Sequence, residues 1–318
     1  MISILMAVYN GDKYLAQQID SILAQTFTEW KLIICDDNSS DKSFDIIEKY
    51  RNMYPNKITA YRNNVSSGSA QANFMSMLKY SETEYTMFSD QDDIWLPNKL
   101  DLTIAKMHQM ETKYGNIPLL VHTDMTVVDS ELQELSHSFM KYSGLNPRKR
   151  DFNHLLVQNN ISGCTMMINR AVLNLVNGVP PTNMIMHDWW IGLTASAFGK
   201  VDYIEKSTSL YRQHKNNELG AKHYKGIVTL CNLALAFIKK IFITKQKKIR
   251  KISISAIQAE NFLIFYNDIL PANSHKIISA YVETVGANAF QRWYRLFRFK
   301  LWRQNLVAII GQLFLISY

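Results

Sequence analysis

Residues 85–97 of this chain read YTMFSDQDDIWLP, and the architecture can be worked out from this stretch. Tyr85–Ser89 has the length and apolar character of a buried β-strand, and a second apolar run follows the acidic residues. Between the two runs stand three carboxylates, those of Asp90, Asp92 and Asp93. Carboxylates this close repel one another unless water or a cation offsets their charge, and their hard oxygen atoms suit Mg²⁺ or Mn²⁺. The stretch therefore predicts a metal site at a strand end, with a solvated turn that caps the next helix as the alternative.

The residues on the amino side of this stretch alternate between strand-like and helix-like patterns. Strand-like runs lie at residues 2–8, 30–35 and 58–62, and helix-like patterns lie at residues 14–25, 43–52 and 70–80. Strands that alternate with helices predict a mostly parallel sheet with helices on both of its faces. The fold class is therefore α/β, and ligands of such sheets bind at the carboxyl ends of the strands.

A second acidic cluster begins at Asp36, directly after the strand-like run at residues 30–35. A carboxylate in this cluster can accept hydrogen bonds from the N–H of a base or from a ribose hydroxyl, whereas a turn that starts the next helix is the alternative. Neither G-x-G-x-x-G after the first strand nor G-x-x-x-x-G-K is present, so two common phosphate-binding loops are excluded. The charge of a bound phosphate would then be offset by a metal ion.

On the carboxyl side, the alternating pattern continues to about residue 220. His187 and Asp188 open an apolar helix, and Tyr211-Arg212-Gln213-His214 follows a strand predicted at residues 201–210. The remaining residues are mainly helical in pattern. We expect an α/β domain at residues 1–220 and a basic helical region at residues 221–318.

The charge of the chain is divided unevenly between these two parts. From Lys215 onward, 16 Lys and Arg residues stand against four acidic residues, whereas 19 stand against 23 before that point. In the basic part, Phe237–Lys251 and Trp293–Arg303 mix cations with apolar and aromatic side chains, as helices lying on anionic lipid do. A homodimer interface is the alternative, and the apolar content argues against nucleic acid as a partner. We expect peripheral contact with a membrane.

Three features of the sequence predict its location. The apolar start lacks the basic residues and the cleavage site of a signal peptide, and no run reaches the roughly 18 to 20 apolar residues of a membrane-spanning helix. Of the three cysteines, Cys35 and Cys164 lie in apolar runs, which is typical of buried thiols in a reducing compartment. We therefore expect a cytoplasmic protein on the inner face of the cell membrane.

Four segments occur in an order that resembles a known family. They are SILMAVYNG at residues 3–11, SILAQT at residues 21–26, DDNS at residues 36–39 and DQDDIWLP at residues 90–97. Together they resemble the family 2 glycosyltransferases over roughly the first 215 residues. The resemblance implies the GT-A fold, and it implies transfer of a sugar from a nucleotide diphosphate with inversion at the anomeric carbon.

The resemblance also implies roles for particular residues. Those that would contact the nucleotide are Ala7, Tyr9, Asp37, Asn73 and Asp90. At Asn73 the sequence departs from many relatives, which have Arg-Asn where this chain has Ala-Asn. Asp92 would be the direct ligand of Mn²⁺ or Mg²⁺ in the D-x-D pair. His214, in a segment similar to the family's Y-R-x-H ending, can reach the metal or the diphosphate.

Inversion requires a base that removes the proton of the acceptor hydroxyl, and a carboxylate within hydrogen-bond reach is sufficient. Asp188 matches the acidic pair of the family and would be this base. A residue that only caps the following helix is the alternative. His187 replaces the first acid of the pair, so its role is open.

The segments at residues 89–95, 187–190 and 211–214 are similar to those of bacterial rhamnosyltransferases within this family. This similarity implies dTDP-rhamnose as the donor and a lipid-linked saccharide or growing polysaccharide as the acceptor.

Two alternatives to a glycosyltransferase stay open. A nucleotidyltransferase should carry a Gly-rich basic loop near its N-terminus, and a non-catalytic binding protein could be built on the same fold.

Overall fold

The computed structural model of the protein describes residues 1–215, 217, 220, 221, 223, 224, 254–285 and 287–314. The basic segment predicted at Phe237–Lys251 lies outside these residues, as does Cys231. The boundary predicted near residue 220 therefore stays a prediction.

A sheet of nine strands forms the centre of the described structure. The strands are β1 (Ile2–Val8), β2 (Trp30–Asp36), β3 (Ile58–Arg62), β4 (Tyr85–Ser89), β5 (Ile94–Trp95), β6 (Leu119–Val128), β7 (Glu134–Ser136), β8 (Met166–Asn169) and β9 (Lys200–Arg212). Their order is β3-β2-β1-β4-β8-β6-β9-β5, and β7 pairs with β6. Strands β3, β2, β1 and β4 run parallel, while β8 lies antiparallel between β4 and β6.

Helices cover both faces of the sheet, as the alternating sequence pattern predicts. They are α1 (Leu15–Leu23), α2 (Ser43–Met53), α3 (Ala70–Met77), α4 (Lys99–Tyr114), α5 (Phe139–Tyr142), α6 (Phe152–Val157), α7 (Arg170–Val176) and α8 (His187–Phe198). Because successive side chains of a strand point to opposite faces, β1 contributes to two core layers. Leu5 and Ala7 pack with α3, α6, α7 and α8, whereas Ile4 and Met6 pack with α1, α2 and α4.

Four further helices follow in the described C-terminal part. They are α9 (Ile254–Tyr266), α10 (Ala272–Val282), α11 (Ala289–Arg298) and α12 (Leu306–Phe314). Phe262 and Tyr266 of α9 belong to the same buried cluster as Trp190 of α8, and the Trp190 and Phe262 ring centroids are 5.1 Å apart. The C-terminal helices therefore complete the core of the α/β part. Among the helices that the structure describes, none combines the length and the apolar character needed to cross a membrane.

The carboxyl ends of the central strands bring the predicted site residues side by side. In the strand register, Met6 lies opposite Ser89 and Val8 lies opposite Asp36. The residues that follow these strand ends, Tyr9, Asp37 and Asp90, are therefore neighbours at one edge of the sheet. Strand β9 continues two residues past its predicted end because it stays paired with β6 as far as Arg212.

Candidate active site

A cavity of about 660 Å³ opens at the carboxyl ends of β1, β2 and β4. This volume lies within the range of small-molecule sites, about 300 to 1,000 Å³. Of the eight residues predicted to bind the nucleotide, hold the metal or act as the base, seven line the cavity; they are Ala7, Tyr9, Asp37, Asn73, Asp90, Asp92 and Asp188. The eighth, His214, contacts Asp92 from the side of β9.

The cavity wall is acidic. Among the described residues that line it, four are aspartates and none is a lysine or an arginine. The carboxylates of this wall would repel a diphosphate unless a cation offset their charge. The cavity is therefore suited to an anionic ligand that binds together with a metal ion.

Gln91 ties the two loops at the mouth of the cavity together. Its side-chain Oε1 accepts the Tyr9 amide at 2.8 Å, and its Nε2 donates to the Tyr9 carbonyl at 3.0 Å. Gly11 makes room for this clamp, because a Cβ atom at Gly11 would lie 2.4 Å from the Gln91 Oε1 atom. This role of Gln91 could not be predicted from the sequence, since nothing in the local pattern indicates a contact across 82 residues.

Asp37 is buried beneath the loop at residues 63–68. It accepts four hydrogen bonds: from the Asn63 side chain at 2.7 Å, the Ser66 hydroxyl at 2.8 Å, and the Ser67 amide and hydroxyl at 2.7 and 2.9 Å. Burial opposes ionisation of this carboxyl, but the hydrogen bonds outweigh it and lower the pKa of Asp37. Asp37 is therefore a carboxylate that holds the loop beside the predicted nucleotide position.

Asn73 of α3 is only 1% exposed and joins the helix to β2. Its Nδ2 donates to the Cys35 carbonyl at 3.0 Å, whereas its Oδ1 has no hydrogen-bond partner among the described residues. A buried acceptor without a partner is uncommon in native structures. Asn73 therefore offers an acceptor to whatever fills the cavity.

Asp92 and His214 form the predicted metal pair. The His214 Nε2 and Asp92 Oδ2 atoms are 2.8 Å apart, and the His214 ring stacks on Tyr14 with centroids 5.0 Å apart. Arg212, which is 2% exposed, donates to the Asp92 carbonyl at 2.9 Å and lies over the Tyr14 ring. Arg212 thus positions the metal pair, a role that the sequence analysis did not foresee.

The donor atoms of this pair fit a small divalent cation. Two ligands at about 2.1 Å from an octahedral Mg²⁺ are about 3 Å apart, close to the observed separation. A second group, Asp90, Asp93 and Cys164, also has ligand atoms within 4.8 Å of one another. Burial and the neighbouring aspartates raise the pKa of Asp93, and burial also raises that of the Cys164 thiol. In that group Cys164 would offer a soft sulfur atom, which suits a hard cation less well than the carboxylate of Asp92 does.

Asp188 lies in the first turn of α8, next to the turn at Gly163. The Gly163 amide donates to its Oδ2 and the Asn159 side chain to its Oδ1, both at 3.2 Å. Burial raises the pKa of Asp188 to about 7, although hydrogen bonds from Trp189, Gly163 and Asn159 act in the opposite direction. The helix N-cap is Met186, so Asp188 lies in the first turn of α8 and not at the cap position itself.

Comparisons with known proteins identify the family of the chain. The model of the family "Glycosyl transferase family 2" matches residues 3–175. The chain is 29% identical to UDP-Glc:alpha-D-GlcNAc-diphosphoundecaprenol beta-1,3-glucosyltransferase WfgD of Escherichia coli over 177 residues, 55% of this chain and 62% of that protein. It is 28% identical to dTDP-rhamnosyl transferase RfbG of Shigella flexneri over 229 residues, 68% of this chain and 74% of that protein.

Solved structures show the same fold. TarS 1-349 of S. aureus superposes with a TM-score of 0.54 at 15% identity, covering 94% of this chain and 82% of that one. The mannosyltransferase PcManGT from Pyrobaculum calidifontis, in complex with GDP-Man and Mn²⁺, superposes with a TM-score of 0.51 at 11% identity, covering 98% and 86%. The resemblance read from four short segments is confirmed: the chain belongs to glycosyltransferase family 2 and has the GT-A fold.

Proposed function

We propose that the protein is a metal-dependent, inverting glycosyltransferase. The observation that carries the proposal is that one cavity holds both parts of the required chemistry. Asp92 and its partner His214 supply ligands for a divalent cation, and Asp188 supplies a base whose pKa is near neutrality. Asn73 and Asp37 also line this cavity, and the Asn73 Oδ1 atom is an acceptor without a partner among the described residues, which suits a nucleoside.

The nucleoside would lie against Ala7, Tyr9 and Asp37, with Asn73 and Asp90 facing the nucleotide. This places the diphosphate next to Asp92 and His214. Asp92 and His214 would hold a divalent cation there, and its charge would offset the negative charge of the departing diphosphate. Arg212 and Gln91 hold the backbone of Asp92 and Tyr9, so the two loops keep one geometry while the ligand binds.

Asp188 would act on the acceptor. Its carboxylate takes the proton of the acceptor hydroxyl, and the hydroxyl oxygen bonds to the anomeric carbon from the face opposite the diphosphate. The bond between that carbon and the phosphate oxygen breaks, and the nucleoside diphosphate leaves with its electron pair. A base is most effective when its pKa is near the working pH, and the value of about 7 meets this condition.

The donor that we propose is dTDP-rhamnose, and the acceptor is a lipid-linked saccharide or growing polysaccharide. RfbG is named as a dTDP-rhamnosyl transferase, which supports the donor. WfgD is named for transfer from UDP-Glc to an acceptor on diphosphoundecaprenol, which supports the acceptor class and makes UDP-glucose the donor to compare.

The C-terminal part supports a proposed contact with a membrane surface. Helix α11 exposes Phe290, Trp293, Tyr294 and Phe297, which recur at the spacing of one helical face. Leu296 on the other side of the helix is fully buried against the core. An aromatic face turned outward beside exposed cations fits a layer of anionic lipid, and co-sedimentation with vesicles tests it.

The enzymatic proposal is tested with a panel of dTDP-rhamnose, UDP-glucose and GDP-mannose, each with Mn²⁺, Mg²⁺ or EDTA. We expect metal-dependent release of one nucleoside diphosphate, strongest with dTDP-rhamnose, and its loss in Asp92→Asn. Asp188→Asn should keep donor binding in calorimetry and lose transfer. If none of the donors binds in the presence of metal, the proposal is contradicted. If a donor binds but is not turned over with any acceptor, the non-catalytic alternative is favoured.

A further inference from the structure

His187 is a buried polar side chain in the wall of the cavity. Its side chain is 4% exposed, and neither ring nitrogen has a hydrogen-bond partner among the described residues. Asn73 Oδ1, in the same wall, also lacks a partner. Native structures leave few buried polar atoms unpaired, and each such atom calls for an explanation. Because His187 and Asn73 both line the cavity, a ligand that fills it is the partner we infer for these atoms.

The surroundings hold the His187 ring in place. It stacks on Phe74 with centroids 4.5 Å apart, and the Phe88 ring is 5.7 Å away. Gly163 leaves the space on its other side, because a Cβ atom there would lie 2.6 Å from the His187 Nε2 atom. Substitution of Gly163 would therefore displace the ring that stands next to Asp188 in the chain.

The charge state of His187 defines the chemistry it can recognise. Burial among apolar rings lowers the pKa of His187 to about 3, so the imidazole is neutral. A neutral imidazole has one N–H donor and one lone-pair acceptor, and a sugar hydroxyl likewise donates and accepts. A phosphate, in contrast, is better bound by a cation.

We propose that His187 hydrogen-bonds a hydroxyl of one of the two sugars at the reaction centre and thereby determines which sugar is accepted. This inference rests on the proposed glycosyltransferase function, because it assigns the sugar contact within the same cavity. It gives a role to the position where this chain has histidine in place of the acid usual in the family.

The test compares His187→Phe with wild type on matched sugars. Donor analogues and acceptor analogues, each lacking one hydroxyl, are measured for kcat and KM. In wild type, removal of the contacted hydroxyl should lower kcat/KM about tenfold, and in His187→Phe the same removal should have no effect. If His187→Phe loses discrimination between donor analogues in hydrolysis without acceptor, the contacted hydroxyl belongs to the donor. A loss seen only with acceptor analogues assigns it to the acceptor.

His122 provides a matched control. It is also fully buried, with both ring nitrogens unpartnered in the described structure, but it does not line the cavity. His122→Phe should leave discrimination unchanged. His187→Leu is a second variant in case phenylalanine is too large beside Gly163.

Stability separates a ligand contact from a structural role. Replacing His187 by an apolar residue removes unpaired polar atoms from an apolar environment, so the melting temperature should hold or rise while discrimination is lost. If a folded, active His187 variant still discriminates between the sugar and its deoxy analogue as wild type does, this inference is overturned and the proposed function is not affected. Absence of turnover in wild type with every donor would instead count against the proposed function.

Discussion

At the scale of single residues, the carboxyl groups in the cavity wall and directly behind it have environments that push their pKa values apart. Hydrogen bonds keep the pKa of Asp37 low, whereas burial raises the pKa of Asp188 to about 7 and places that of Asp93 well above its usual range. Such divergence between neighbouring acids distinguishes groups that stay charged from groups that exchange protons. Asp37 is thus suited to hold the loop at residues 63–68, and Asp188 is suited to accept a proton.

Asp188 leads to a prediction about pH. A base acts only when it is deprotonated, so kcat/KM, which follows the pKa of the free enzyme, should rise with pH, reach half of its maximum near pH 7 and then level off. Asp188→Asn should lower kcat by about 10²- to 10⁴-fold, the usual contribution of such catalysis. Asn159→Ala removes a hydrogen bond that lowers the pKa of Asp188, so it should move the midpoint to higher pH. A midpoint that stays in place in Asn159→Ala, or a rate that falls with pH in this range, would contradict the assignment.

The acidic residues could be predicted from the sequence because each follows an apolar strand or opens an apolar helix. The contact between His214 and Asp92, which are 122 residues apart in the chain, could be expected only from the resemblance to the family. Gln91 and Arg212 were missed because their roles arise from contacts with Tyr9 and with the Asp92 carbonyl. A local pattern carries no information about such partners.

At the scale of elements, Gln91 joins the loop after β1 to the turn after β4. Gln91→Leu removes both hydrogen bonds to Tyr9, so the two loops should separate and the KM for the donor should rise about tenfold. Tyr9 is 55% exposed, so water can replace the lost bonds and the melting temperature should change little. Gln91→Glu keeps an acceptor for the Tyr9 amide but has no donor for its carbonyl, and its KM should lie in between. Equal KM values in all three proteins would exclude this role.

Helix α8 carries Asp188 and is supported from behind by α9. The Trp190 Nε1 donates to the Tyr266 hydroxyl at 3.3 Å, and the Phe262 ring packs between Trp190 and Phe152. The sequence predicts a helical region here, with a boundary to the α/β domain at residue 220. Apolar residues on a helix do not reveal which surface they cover, so the sharing of one core with α8 could not be predicted.

This packing predicts that α9 stabilises the active site. Phe262→Ala removes a fully buried ring, which should lower the free energy of unfolding by about 3 to 5 kcal/mol. Because α8 then loses support, kcat should fall as well. Phe265→Ala is the control, since Phe265 is on the same helix but is 40% exposed and should cost far less. Chemical denaturation and initial rates measure both effects, and equal losses in the two variants would exclude a specific role for the buried ring.

At the scale of the whole molecule, acidic and basic residues are divided unevenly between the cavity wall and the C-terminal helices. The residues before Lys215 carry an excess of acid, and the cavity wall holds four aspartates. Residues 289–314 contain no acidic residue, and Arg298, Lys300 and Arg303 are exposed near the aromatic face of α11. Arg295 is engaged with Glu283 at 2.7 Å and contributes less to such a surface. An anionic layer would therefore attract the C-terminal face and repel the cavity, which orients the molecule.

This orientation predicts how the protein should bind vesicles. Binding to vesicles that contain anionic lipid should weaken with added salt, because each exposed cation near the surface contributes about 1 kcal/mol and is screened. Replacing Phe290 and Phe297 together by Ser should reduce binding at every salt concentration, since the apolar contribution is not screened. Val65→Ser, at an apolar residue that is 80% exposed on the α/β part, should have no effect. If wild type ignores vesicles and instead forms a dimer that the double Ser variant dissociates in analytical ultracentrifugation, the aromatic face serves a second copy of the chain.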